Sequence, residues 1–370
     1  MRNMKSVYLM LFMGSGALYA TCTVRVLLAE GELSQVNSWQ FVTPKKSFLC
    51  DFCDGALYCN GKRLEKNALR ISSVDNRCSY LDNVYAGDIA LLISNGRFYI
   101  INTIALEEYV YSVIRSEGWP GWPLEVNKVF AIIVRTYVIH RLMATKGHTK
   151  QLYDIKATNI HQTYKGLHDY EHLHQAVQET QGMILSYNKQ PIVAMYDSCC
   201  GGVTPAHITG FDFKAHPYLA RAYPCTYCNE CKLYTWRYRY THEQLIQSLQ
   251  QELPAIRQIK ELRITHADKA GKVLELSVKG ARAHKKISGA LMYRLCKGIK
   301  SFCYTIKKED DSFLFEGRGF GHHLGVCQWG VRTMVKRGFL YKEILDYYYP
   351  GTKLMKLATK DDTPSNGERA

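Results

Sequence analysis

The sequence predicts an α+β fold in which a central buried helix packs on a twisted, mainly antiparallel sheet. Three observations lead there. From about residue 22 to 102, short apolar runs such as 24–28 and 89–93 are broken by Gly, Asp and Asn, the pattern of β structure. Residues 104–143 instead carry apolar positions at helical spacing. Beyond Gly147 the chain returns to strands and turns with occasional helical stretches. At 370 residues it can bury a substantial core, as one large domain or two smaller ones.

Taken in order, the first 20 residues have the layout of an export signal. Arg2 and Lys5 precede a mostly apolar run from Val7 to Leu18, and small Ala20 closes it. The run is short for a bilayer span, so export is expected, with the protein peripheral to a membrane at most. The expected organisation is a signal peptide at 1–20, an amino-terminal β-rich region at 21–86, a main domain at 87–356 and a polar tail at 357–370.

Leu106, Val110, Val113 and Ile114 mark a helix over 104–116. The stretch RSEGWPGWPLE, residues 115–125, interrupts it, and Pro123 suits the first position of a second helix. That helix runs to about Met143. Val126, Val129, Phe130, Ile133, Val134, Tyr137 and Val138 form its apolar face, and Ala131 and Ile132 extend it almost all round, which marks a buried helix. Arg135 and Thr136 in its middle need partners: Arg135 forms either a structural ion pair or a contact to a bound carboxylate. Further on, 183–187 and 192–196 read as a hairpin delivering Asp197, Ser198, Cys199, Cys200, Gly201 and Gly202. A helix is expected from His242 to Glu252 and strands near 259–265 and 273–278.

Two of the chain's five tryptophans lie within a few residues of Glu117. A carboxyl beside indoles loses water, which raises its pKa and keeps it protonated at neutral pH. That is the state a general acid needs to protonate a glycosidic oxygen, and tryptophan faces stack on sugar rings. Glu107, Glu108 and Glu125 compete, but their positions suit helix surfaces and first turns. The glycine-rich stretch after 313–316 misses the dinucleotide register, because His322 stands at the third glycine. Its glycines allow either backbone approach to a ligand, with His322 and Gln328 as polar contacts, or a tight structural turn.

Thirteen cysteines in an exported chain imply disulfides, a metal site or both. Cys225, Cys228 and Cys231 repeat as C-x2-C-x2-C. With Cys200 as third ligand, Cys225 and Cys228 have the spacing of a structural zinc site; disulfides are the alternative. Cys50, Cys53, Cys59 and Cys78 are expected to form a separate amino-terminal bridge set. The formal net charge of +15 suits an anionic partner, whereas Lys and Arg are too scattered for a nucleic-acid module.

Several ordered blocks carry a family resemblance: LEEYVYSVIRSE, AIIVRTY, YDIKATNIHQTYKG, AVQETQGMILSYNKQPIVAMYDSCCGGVT, GRGFGHHLGVCQWG and YKEILDYYYPGTKL. Through them the chain, from about Gly87 to Leu354, resembles the SpoIID/LytB family of stage II sporulation protein D and amidase enhancers. The resemblance implies a SpoIID-like domain and lytic transglycosylation of peptidoglycan strands stripped of their peptides, with Glu117, the last residue of the first block, as catalytic acid. Trp119, Arg135, Tyr164, His322 and Gln328 are then the candidate substrate contacts, and the chemistry requires no cofactor beyond a possible structural zinc. It also implies a second reading, a non-catalytic activator of a cell-wall amidase. A zinc hydrolase centred on the cysteines is a third reading, opposed by the closed character of all-thiolate sites. The chain departs from the commoner family pattern in the Gly-Trp after Glu117, the second Trp-Pro, the bulkier VNKVFAIIVRTY helix and Cys199-Cys200 before Gly-Gly. These changes bear on substrate preference.

Overall fold

A computed structural model describes residues 22–73, 75–145 and 151–357. The export-signal segment and the tail beyond residue 357 lie outside the described residues. The chain is mixed α+β and divides into two compact units. Among the described residues, 22–193 with 353–357 form one and 194–352 the other.

In the first unit a five-stranded sheet has the order 155–156, 23–32, 97–105, 88–94 and 68–71. Alternation places Val24, Val26, Ile89, Leu91, Ile100 and Ile104 in its core. The pairings are antiparallel except that Ile155–Lys156 runs parallel to Thr23–Glu32. Asp154, bonded bidentately to Arg25 at 2.7 and 3.1 Å, fixes that short strand. A six-stranded antiparallel sheet is built from residues 38–86. There Cys50 lies directly opposite Cys59. Strand Thr23–Glu32 pairs with Arg97–Ala105, so residues on both sides of position 86 share one sheet. The chain passes between the two compact units at 193/194 and 352/353. The partition at 86/87 follows the motif blocks and is a separate proposal.

Helix α1 (Leu106–Glu117) begins where strand Arg97–Ala105 ends and buries Leu106, Tyr109, Val110, Val113 and Ile114 along one face. Helix α2 (Leu124–Thr145) starts just past Pro123, whose carbonyl accepts from the N–H groups of Val126 and Asn127. Its residues 129–136 are all buried, which explains the near absence of a polar side. It packs against α1, against helix α3 (Glu171–Glu179) and against strand Met183–Tyr187, which pairs with Lys353–Lys356. Thr136 Oγ1 donates to Ile132 O at 2.6 Å and accepts from Leu185 N–H at 2.9 Å, so the expected partner for this buried hydroxyl exists.

The second unit holds the antiparallel sheet 235–241, 312–318, 304–308 and a second one of 261–267, 273–279 and 284–288. Helices α4 (His242–Leu249) and α5 (Gly289–Leu295) contribute to its core around Leu245, Leu276, Met292, Phe313 and Phe315. Two short strands, Tyr196–Asp197 and Val326–Cys327, pair in parallel, and helices α6 (Gln328–Lys336) and α7 (Tyr341–Tyr348) follow. Thr241 opens α4 with a capping box closed by Gln244.

Candidate functional site

Glu117 is the last residue of α1 and is half-buried. Its Oε1 accepts the N–H of Thr163 at 2.8 Å. On either side of Thr163, Gln162 accepts from the buried Tyr109 hydroxyl at 3.0 Å and donates to Val134 O, while Tyr164 donates to Asn102 at 2.7 Å. The blocks LEEYVYSVIRSE, AIIVRTY and YDIKATNIHQTYKG therefore meet at one place, with Glu117 at the junction. Sequence reasoning missed Gln162 and Tyr109. Their presence in the blocks was visible, but a hydrogen bond spanning 53 positions was not.

The loop after Glu117 is tightly built. Trp122 N–H donates to Trp119 O at 3.2 Å, and Asn127 Nδ2 donates to Trp122 O at 3.1 Å. A Cβ on Gly118 would stand 2.9 Å from the buried Asn127 Oδ1, which explains the glycine. Trp119 has φ of +63°, a left-handed conformation that a bulky residue adopts only at a cost. It is 54% exposed and stacks on Trp122 with ring centroids 6.0 Å apart and planes 18° from parallel. An apolar platform thus follows the acid directly in the chain.

Arg135 and Tyr164 are placed differently from expectation. Arg135 has no exposed surface. Its Nε and Nη2 bond both oxygens of Glu107 at 2.8 and 2.6 Å, and Nη1 donates to Met183 O at 3.0 Å. This is the structural ion pair of the two alternatives, and it takes up Glu107, which had looked like a plain surface acid. Removing Glu107 would strand the buried Arg135 charge. Tyr164 is 3% exposed, lies between the rings of Tyr85 and Tyr109, and burial pushes its phenol well up. Arg135 thus ties α1 to α2 and to strand Met183–Tyr187, while Tyr164 braces the segment that carries Thr163.

His322 and Gln328 belong to the second unit. His322 Nδ1 accepts from Leu324 N–H at 3.1 Å and the ring also bonds the backbone of Tyr196. Burial lowers its pKa to about 4, so it is neutral. Gln328 opens α6 and is buried. The glycines around them serve the chain itself. Gly319 packs on the carbonyl of Cys199, and a Cβ on Gly325, at φ +71°, would overlap the Met195 carbonyl. The space they leave is filled by backbone of 195–200, the structural-turn alternative.

Cys200, Cys225 and Cys228 are brought together and are joined by Cys327, whose sulfur completes a set lying within 4.8 Å of one another. Sequence reasoning missed Cys327, which is about 100 residues from the C-x2-C pair. A cleft of about 750 Å³ in the same unit, lined by Trp236, Arg237, Tyr304, Glu316 and Arg318, contains none of the expected site residues. Its acid, Glu316, is held below the usual carboxylate range by Lys307 and then Arg237, so it stays ionised and suits a general acid poorly.

Fold and site define an α+β protein whose best-assembled site is built round one half-buried carboxyl. A family model described as SpoIID, stage II sporulation protein, matches residues 94–187, which include Glu117, and one for a domain of unknown function, DUF8618, matches 225–325. The match and the relatives support the resemblance to the SpoIID/LytB family that the motif blocks carry. An uncharacterized protein of Brachyspira hyodysenteriae is 29% identical over 273 residues, covering 73% of this chain and 72% of that protein. Stage II sporulation protein D of Bacillus subtilis is 28% identical over 271 residues, covering 69% and 75%. The amidase enhancer of Bacillus subtilis is 26% identical over 292 residues, covering 65% of this chain and only 39% of the enhancer. Among the described residues no helix is long and apolar enough to cross a membrane.

Proposed function

We propose that this protein is a lytic transglycosylase exported to the cell envelope, cleaving the bond from N-acetylmuramic acid to N-acetylglucosamine in peptide-stripped peptidoglycan. The observation that carries the proposal is Glu117, held by the Thr163 N–H where three motif blocks meet and followed at once by the exposed Trp119–Trp122 stack. In this reading 87–356 is a SpoIID-like catalytic domain with the buried helix at its centre. Glu117 gives its proton to the glycosidic oxygen as the C1–O bond breaks. As a carboxylate it then takes the proton of the muramic C6 hydroxyl while that oxygen closes on C1. The product is a 1,6-anhydro end, no water is consumed, and one carboxyl serves both steps because they are sequential. Ordinary glycosidases use two.

The charge of +15 supports the choice of substrate, since stripped strands expose a lactyl carboxylate on every muramic acid. A second reading is favoured by the amidase-enhancer relative: the chain binds a cell-wall amidase and stimulates it. Incubation with amidase-stripped strands, followed by mass spectrometry of the new ends, separates the two. The proposal expects anhydro-muramic ends. Reducing ends would make the protein a hydrolase, and no new ends with faster amidase turnover would make it an activator.

A further inference from the structure

The geometry points to a structural zinc site of four thiolates, Cys200, Cys225, Cys228 and Cys327, in the second unit. All four are buried, with at most 2% of their surface exposed. Cys200 Sγ and Cys228 Sγ are 3.6 Å apart, and no two of the four sulfurs are more than 4.8 Å apart. Tetrahedral zinc with Zn–S near 2.3 Å needs sulfurs about 3.8 Å apart, whereas a disulfide needs about 2 Å. Four converging sulfurs at this spacing match one ion better than two bridges.

The surroundings favour a negative centre. Zinc with four thiolates carries a net charge of two minus. Arg221 is 1% exposed, and its Nε and Nη2 have no hydrogen-bond partner among the described residues. Its guanidinium lies 5.5 Å from the Tyr348 ring, and the Tyr348 hydroxyl is 3.2 Å from Cys225 Sγ. An unpaired buried cation is costly, and an adjacent anionic cluster offsets that cost. The backbone N–H of Cys200 points at Cys327 Sγ from 3.3 Å, a bond that a thiolate accepts better than a thiol.

The topology explains why these four meet. Tyr196–Asp197 pairs in parallel with Val326–Cys327, which brings Cys200 beside Cys327. The loop after Pro224 supplies the C-x2-C pair. An ion here would join three segments distant in sequence and close long loops, the arrangement in which a cross-link restricts the unfolded chain most. With four protein ligands the site is closed and structural. It stands apart from the Glu117 chemistry and survives if that reading fails.

Zinc measured by inductively coupled plasma mass spectrometry on the purified chain should reach about one equivalent and survive dialysis. Exchange for cobalt should produce the intense thiolate charge-transfer and tetrahedral d–d bands of a four-sulfur site. Cys327→Ser should weaken metal retention more than about tenfold, whereas Cys231→Ser, a neighbour outside the set, should not. Should Cys327→Ser fail to fold, the cobalt spectrum of the unaltered chain decides. Disulfides among the four in peptides of the native protein would overturn the site. So would a reduced chain that takes up neither metal. Loss of zinc from Cys231→Ser with retention in Cys327→Ser would overturn the ligand assignment.

Discussion

Trp119 combines two properties that a residue rarely has together: a left-handed backbone and an exposed indole. The backbone conformation costs about 1 kcal/mol, and exposure means that burial does not compensate for it. A platform for a sugar ring gives the conformation a use. Trp119→Gly should therefore leave stability within about 1 kcal/mol, since relief of strain is balanced by lost stacking and added chain freedom. Binding to stripped glycan should weaken roughly fivefold, the equivalent of about 1 kcal/mol of lost stacking. Urea unfolding and a pull-down titration measure the two quantities; a large stability loss with unchanged binding would make Trp119 structural. The company of Glu117 and the indoles was legible from sequence, because it is local. The left-handed turn was not, since a tryptophan gives no sign in sequence of a positive φ.

At the scale of elements, both helices over 104–145 were legible because the 3.6-residue period is local and α2 is apolar almost all round. The partner of Arg135 was not, because Glu107 lies 28 positions away on another helix. The glycine-rich turn shows the same limit. Its glycines signalled close approach, but only the fold shows that the approaching group is the chain's own 195–200 backbone. The turn also carries a pH dependence. His322 accepts at Nδ1 from Leu324 N–H, so a second proton would oppose an existing donor. With a folded pKa of about 4 against an ordinary 6.5, the unfolded chain binds a proton that the folded chain refuses. Stability is then full above pH 6.5 and falls as pH drops toward 4. His322→Gln should flatten that decline by about 1–2 kcal/mol at pH 5, read as the difference in urea midpoints between pH 7.5 and 5. A decline identical to that of the unaltered chain would show that His322 titrates as in water.

For the whole molecule, the fold class was legible from the alternation of strand-like and helical stretches, and the family resemblance from the order of its blocks. The division at 193/194 was not, because it depends on strand Lys353–Lys356 returning to pair with Met183–Tyr187. The fourth cysteine escaped for the same reason, since parallel pairing of two-residue strands leaves no pattern in sequence. The proposed chemistry turns on Glu117. Its most direct test is turnover of amidase-stripped glycan by the Glu117→Gln protein, beside strand binding and thermal unfolding of the same sample. General acid–base help is typically worth about 10²- to 10⁴-fold, so turnover should fall by that much while binding and unfolding temperature stay close to those of the unaltered chain. Anhydro-muramic ends formed by Glu117→Gln at an undiminished rate would contradict the account.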